Sequence, residues 1–372
     1  MAAPLTVDAS MSGESLWYLA PFRLPSDHAH SIQILNTCLA LAGEGVRVTL
    51  FVKRNPDRPV GSIDEGLAAY GLRPHELLRI EWLPTNYNPL QGAVLRWKVF
   101  RCAGRPVFYV RHLRLAPAAK GRGLVLTELH KMEDDAREAA LASDGVVTIT
   151  SALRDAVRKE FGARAPVEVI PDAVDPSRFP PVQGLHPSRL VYTGQFHDWK
   201  GVDVLVRSLK LLPSLTALLI GGREGSDPFR DGLKALAAQE GVADRIEWTG
   251  YLPQAELPKR LRGGDIGVVP TRAGNGQDVA ASPLKLFEYM SAGLPIVASD
   301  LPSIRDVIRS GENGMLFKEG DPAALAAAVR QLTDDPARGA SLSARAREEA
   351  IARYSWQARA KHILQFIATL KR

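Results

Sequence analysis

Cysteine is scarce in this 372-residue chain: Cys38 and Cys102 cannot build a disulfide framework or a four-ligand zinc site. A reducing, cytoplasmic compartment fits that usage. The eight histidines show no His-x-x-x-His spacing, so neither a metal nor a metal-dependent cofactor is expected. Long apolar runs are lacking too. No stretch approaches the ~20 residues of a spanning helix, and residues 1–14 have neither the basic start nor the apolar core of a signal peptide. No Gly-x-Gly-x-x-Gly follows the first strand-like run of either half, which argues against a nicotinamide dehydrogenase. Acids are missing from residues 91–123, where eight Lys/Arg (Arg96, Lys98, Arg101, Arg105, Arg111, Arg114, Lys120, Arg122) concentrate the modest net charge of +6.

What is present is ordinary globular composition: 45% hydrophobic and 24% charged residues argue against disorder, collagen and low-complexity repeats. At roughly 150 residues per domain, two domains are expected. Unalternating strand-like runs occur at Leu16–Ala20, Val46–Val52, Val107–Val110, Leu124–Thr127 and Val146–Ile149. They recur at Leu190–Thr193, Leu215–Ile220, Ile246–Thr249, Ile266–Val269 and Pro295–Ala298. Between them lie helical spacings such as Ile32, Leu35, Leu39 and Ala42. Such strands suit parallel sheets covered by helices on both faces, so the fold class expected is α/β, twice over. Six prolines in residues 166–187 read as an ordered linker, the alternative being a long loop inside one large domain.

Chemistry concentrates in the second half. Tyr192-Thr193-Gly194-Gln195-Phe196-His197-Asp198-Trp199-Lys200-Gly201 follows a strand-like run and leads into a helical one. Ligands in open α/β sheets sit at the carboxyl ends of strands, beside helix N-termini that favour anions. A lysine in a helix's first turn opposes the macrodipole, and Lys200 is expected there. A solvated lysine is the plain alternative. In Ser282-Pro283-Leu284-Lys285-Leu286-Phe287-Glu288, Ser282 reads as an N-cap and Pro283 as the first helical residue. Lys285 then stands where a capping box wants Glu or Gln. Glu288, one turn on, either pairs with Lys285 for ~0.2–0.5 kcal/mol or receives hydrogen bonds from sugar hydroxyls. Two misplaced lysines favour a diphosphate ligand held by Lys200 and Lys285. Gly274 and Gly276 could bring backbone amides near it.

Residues 189–352 resemble the nucleotide-sugar-binding half of the family-4 glycosyltransferases. The likeness rests on Tyr-Thr-Gly followed by Lys200-Gly201, on Ile220-Gly221-Gly222, on Trp248-Thr249-Gly250-Tyr251-Leu252, and on Ser282–Met290 with the Ser-Ala-Gly-Leu-Pro-Ile-Val-Ala-Ser-Asp run behind it. Gly311-Glu-Asn-Gly314-Met-Leu-Phe317 continues it. The resemblance implies the GT-B architecture, two Rossmann-like domains with mostly parallel sheets facing across a cleft. It implies retaining transfer from a nucleoside-diphosphate sugar, with no cofactor required and domain closure over the donor. The domains expected are 1–180, binding acceptor, 181–353, binding donor, and 354–372, a helix crossing back to the first.

By position, the resemblance makes Lys200 the group that neutralises the leaving diphosphate and Glu288 the partner of the ribose. It brings Tyr251 and Leu252 to the base, and Gly194, Gln195, Gly222, Arg223, Ser282, Pro283 and Leu284 to the donor. Two positions depart from the family's pattern: Ala280 stands where a first glutamate is usual, and Gln195 where an arginine is. Lys285 then replaces the missing positive charge. In the first half, Pro25-Ser-Asp-His-Ala-His30-Ser-Ile-Gln33 resembles a segment after the first strand, and Thr127-Glu128-Leu129-His130 ends a strand where the family often has a histidine facing the donor sugar. His30 and His130 also have ordinary explanations as a helix-start and a strand-end residue. Val167-Glu-Val-Ile-Pro171-Asp172-Ala173 resembles the interdomain strand and loop.

No carboxylate is an obvious covalent nucleophile, unlike the paired acids of a glycosidase. The resemblance implies attack on the face from which the diphosphate leaves, assisted by positive charge in a water-excluding site. Trp356, Ala360, Ile363, Ile367 and Leu370 form an apolar stripe on a terminal helix that Ser355 can cap, with Arg359, Lys361 and Lys371 expected on its polar side.

The basic tract, Arg111 included, bears on the acceptor: a lipid-linked or other phosphate, an anionic membrane surface, or plain solvated surface. A wheel of Leu90–Cys102 shows no clean basic and apolar faces. Trp97, Phe100 and Tyr109 interleave the charges without a nucleic-acid motif, so no nucleic acid is expected. Three functions stay open: a transferase acting on a glycan, lipid-linked or small acceptor, a GT-B nucleotide-sugar epimerase, and a catalytically weak nucleotide-sugar-binding subunit. UDP and GDP are not distinguished.

Overall fold

In the computed structural model, residues 14–26, 29–84, 88–162, 165–182, 188–223, 225–252, 256–261, 265–274 and 282–371 are described. The chain divides into two compact units, Met1–Asp172 with Trp356–Arg372, and Ala173–Ser355.

The first unit is built on a seven-stranded parallel sheet. Its strands are β1 (Ser15–Leu24), β2 (Arg47–Arg54), β3 (Leu78–Trp82), β4 (Val107–Val110), β5 (Leu124–Leu129), β6 (Gly145–Thr148) and β7 (Val167–Val169). They lie in the order β3-β2-β1-β4-β5-β6-β7, so the chain reverses its direction of travel between β1 and β4, the switch point at which open sheets bind ligands. All four residues of β4 and of β6 are buried, which is why neither run alternates. One edge strand, β3, differs from expectation, and the other, β7, falls where the resemblance places the interdomain strand. β3 carries Arg79 and Glu81 on a half-exposed edge, and the charges hide it as a strand. β7 lies within the proline-rich stretch read as a linker; Pro166 and Pro171 flank it rather than interrupt it.

The second unit holds β8 (Arg189–Thr193), β9 (Thr216–Ile220), β10 (Ile246–Gly250), β11 (Asp265–Val269), β12 (Ile296–Ser299) and β13 (Met315–Phe317). Their order is β10-β9-β8-β11-β12-β13, all parallel, with the switch point between β8 and β11. Successive residues feed opposite cores: Leu190 and Tyr192 pack on one face, Val191 on the other. β13 is three residues long, too short to read as a strand by pattern.

Residues 173–180, expected with the first domain, belong to the second unit. Val174 bridges Ser355, and Phe179 is buried among Phe287, Leu286 and Tyr354. The last helix, Trp356–Leu370, packs on the helix Ala29–Gly43 within the first unit. Its buried side includes Arg359, which is 2% exposed, where a polar, solvent-facing position was expected. Among the described residues no helix is long and apolar enough to cross a membrane.

Candidate functional site

In the second unit, the loops leaving β8, β9, β10 and β11 lie backbone against backbone. Gly194 N donates to Ile220 O at 2.9 Å, Gly222 N to Gly194 O at 3.2 Å, Gly221 N to Gly250 O at 2.8 Å, and Arg272 N to Trp199 O at 2.9 Å. Glycine is obligatory at Gly201, where φ is +66° and a Cβ would stand 1.9 Å from Pro270 O. Asp227, which sequence reading passed over, closes the next loop by accepting from Arg223 N at 2.8 Å and Arg230 N at 3.2 Å. The signal was legible, since Asp-Pro is a cap-and-first-residue pair for the helix Pro228–Gln239.

Both lysines sit differently from their expected helix positions. Lys200 ends the short turn Asp198–Lys200, one residue ahead of Gly201, the N-cap of the helix Val202–Ser208. Its Nζ lies 3.7 Å from the Trp199 ring centre, and burial lowers its pKa to about 8. The helix Leu284–Ala292 is capped by Pro283, not Ser282, and has no side-chain cap bond, so Lys285 is its second residue. Burial, more than a macrodipole conflict, makes these cations unusual.

Lys285 is 8% exposed. Its Nζ lies 3.6 Å from the Tyr192 ring centre, and among the described residues no hydrogen-bond partner meets it. Burial pushes its pKa well down and the charge of Lys200 pushes further, against an opposing pull from Glu288. A Cβ at Gly194 would come 3.2 Å from that Nζ, so the missing side chain keeps the ammonium's approach open. Tyr192 OH donates to Gln195 O at 2.9 Å and Tyr289 OH to Thr193 Oγ1 at 3.2 Å, fixing the loop's first turn. A buried cation without a hydrogen-bond partner is costly and is relieved by an anion.

Around this point Glu288 is buried on the face of Lys285, Leu284 and Ser282 are half-buried, and Gln195 and Arg223 are exposed. Gln195 Oε1 meets His197 Nε2 at 3.2 Å. Tyr251 is exposed and Leu252 half-buried just after β10. Gly274 is described, whereas Gly276 and Ala280 lie outside the described residues.

In the first unit a buried polar network gathers at the carboxyl ends of the strands. Glu128, in β5, accepts from Arg359 Nη2 at 2.8 Å and from Tyr109 OH and His130 Nε2 at short range. Arg111 Nε lies 3.7 Å from the same carboxylate, and Arg111 Nη1 donates to Gln33 Oε1 at 2.6 Å. Gln33 Nε2 in turn donates to Asp172 Oδ1. Burial works against the Glu128 charge, but Arg359, His130 and Arg111 hold its pKa well below the carboxylate range. Burial and Arg111 lower His130 to about 4, so its ring is neutral and gives Glu128 its Nε2 hydrogen. Thus His130 and Arg111 are brought together, and Arg111 is committed to Gln33 and Glu128. His30 stays exposed one turn before Gln33, its ring edge-on to Phe22 at 6.3 Å. Glu128, Arg359 and Gln33 were missed because nothing in local spacing reports contacts between residues 231 apart in the chain.

Residues 187–335 match a family model described as Glycosyl transferases group 1. The chain is 25% identical over 258 residues to a GDP-mannose-dependent alpha-(1-6)-phosphatidylinositol monomannoside mannosyltransferase of Mycolicibacterium smegmatis, covering 65% of each chain. It is 33% identical over 164 residues to a D-inositol 3-phosphate glycosyltransferase of Thermomonospora curvata, covering 42% of this chain and 37% of that one. The chain therefore spans less than two thirds of the length of these curated relatives. Among solved structures, sucrose-phosphate synthase from Thermosynechococcus elongatus superposes with a TM-score of 0.76 at 17% identity, over 96% of this chain and 99% of that one.

Proposed function

We propose, for a chain that belongs to the group 1 glycosyltransferases with the GT-B fold, that it moves a hexose from a nucleoside-diphosphate sugar to an acceptor with retention of configuration. The observation that carries this reading is Lys285 Nζ, buried, without a hydrogen-bond partner among the described residues, and held at the switch point of the second sheet beside the charge of Lys200. Two desolvated cations at a strand's carboxyl end are suited to a diphosphate that gains charge as the glycosyl bond breaks.

In this reading Lys285 and Lys200 neutralise the leaving group, the missing side chain at Gly194 lets it reach Lys285, and Gly222 and Pro283 stand beside the donor. Glu288 accepts hydrogen bonds from the ribose, Tyr251 and Leu252 meet the base by their main chain, and Gln195, Arg223, Ser282 and Leu284 line the donor. Neutral His130 is the first unit's hydrogen-bonding group for the reacting sugar. The acceptor oxygen attacks the face from which the diphosphate leaves, so no carboxylate nucleophile is needed, and a donor phosphate oxygen takes the acceptor's proton in place of a carboxylate base. The acceptor, a glycan, a lipid-linked sugar or a small molecule, is assigned to the first unit, with His30 the exposed candidate and Arg111 acting through Gln33. Contact with the inner face of an anionic membrane belongs to the same reading, in the cytoplasm.

The relatives' printed activities are transfers, which supports this reading over an epimerase or a binding-only subunit. The test is thermal shift against UDP- and GDP-sugars, followed by an assay of donor breakdown with and without sugar acceptors. One donor at 100 times its dissociation constant should add about 2.7 kcal/mol of stability, and the same donor should be consumed. No shift at millimolar donor would defeat the reading. Binding without transfer or hydrolysis would support the binding subunit, and proton exchange at the sugar's second carbon the epimerase.

A further inference from the structure

We propose that the outward face of the helix Asn88–Arg101 docks the protein on an anionic lipid bilayer. This deepens the membrane contact included in the reading above and does not depend on the donor chemistry at Lys285, so the two fail separately. The helix buries Gln91, Leu95 and Val99, spaced one turn apart. Three of its large apolar side chains face solvent instead: Leu90 is 53% exposed, Trp97 58% and Phe100 62%. The even mixture on the helical wheel thus resolves into two apolar faces, one packed and one bare.

Arginines frame the bare face. The Arg101 guanidinium lies 5.4 Å from the Trp97 ring centre and that of Arg122 4.0 Å from Phe100, with Arg122 Nη1 donating to Phe100 O at 2.9 Å. Arg96 on the same helix and Arg105 just past its end are exposed as well. None of these four is paired with a carboxylate among the described residues, and residues 91–123 contain no acid to pair with. Aromatic rings at headgroup depth, carrying arginines whose heads stay among phosphates, are the chemistry of an anionic interface. A second copy of this face is disfavoured, because pairing would bring the same arginines together. Nucleic acid is disfavoured because both rings are already covered by their own arginines.

The test is flotation of the full chain with vesicles of phosphatidylcholine alone or mixed with phosphatidylglycerol. The expected result is at least about tenfold more protein floating with the anionic vesicles, falling with added salt. The Trp97→Ser/Phe100→Ser and Arg101→Gln/Arg122→Gln proteins should lose that preference while keeping the wild-type melting temperature and the wild-type donor-induced shift. Equal flotation on both vesicles, or flotation unchanged in the double variants, would overturn the proposal. So would a dimer that disappears in Trp97→Ser/Phe100→Ser without any flotation, or tighter capture by single-stranded RNA than by anionic vesicles.

Discussion

Arg359 Nη2 donates to Glu128 Oε2 at 2.8 Å, with both side chains buried. Arg359 Nη1 also donates to Ile170 O at 2.6 Å, so the last helix ties down the segment after β7 as well as the end of β5. Breaking a buried pair strands the partner's charge, so Arg359→Met alone should cost about 3–5 kcal/mol in urea unfolding. Adding Glu128→Gln should return part of that loss. A single-variant cost under about 1 kcal/mol would mean that Glu128 is not left with an uncompensated buried charge.

The same pair predicts an acid limb. The pKa of Glu128 is held well below its ordinary 4.5 in the folded protein, against burial, by Arg359, His130 and Arg111. Its contribution is therefore fully present above pH 4.5 and is lost as pH falls toward the folded value. Wild type should lose urea resistance below pH 4.5 more steeply than Glu128→Gln. Parallel curves would show that the carboxylate's charge is not what the network stabilises.

Much of this architecture was readable. Fully buried strands such as β4 and β6 announce themselves as unbroken apolar runs, and glycine-bearing loops after β8 and β9 point to the candidate site. β3 was not readable because an edge strand needs polar residues on its open side, and its Arg79 and Glu81 erase the apolar signal. Lys200 and Lys285 were singled out by helix position, yet Lys200 precedes its helix and Pro283 takes the cap expected of Ser282. What distinguishes the two cations is desolvation, which depends on Trp199 and Tyr192 packing against them. Arg359 was assigned to a polar face because a charge one turn from Trp356 looks solvated until its partner, 231 residues earlier, is known.

Gly201→Ala should cost at least about 2 kcal/mol of stability. The φ of +66° is unfavourable for alanine, and the added methyl would meet Pro270 O at 1.9 Å, forcing the β8 and β11 loops apart. Thermal unfolding checks it, and diphosphate affinity should fall with the displacement of Lys200. An alanine variant with wild-type melting would contradict the close packing of these two loops.

Lys200, lowered by burial to about 8, loses its proton as pH rises through that value in the free protein. A diphosphate stabilises the ammonium form, so binding should take up protons near pH 8 and weaken above it. Calorimetry of GDP and UDP in buffers of different ionisation enthalpy reads the uptake directly. Lys200→Arg, charged throughout, should flatten the decline above pH 8. Affinity independent of pH between 7 and 9.5, with no proton uptake, would remove Lys200 from the diphosphate site.

In the proposed diphosphate site, Lys285 is kept buried for an anion and not for the fold. Lys285→Met separates the two, because methionine fills similar space over Tyr192 without an ammonium to desolvate. Calorimetric titration of GDP and UDP, with a urea melt of the ligand-free protein, is the direct measurement. The variant should be more stable by about 1–2 kcal/mol when empty, and should bind the diphosphate at least about a hundredfold more weakly. Unchanged diphosphate affinity, or an empty protein that is less stable than wild type, would mean that Lys285 is buried for packing and not for an anion.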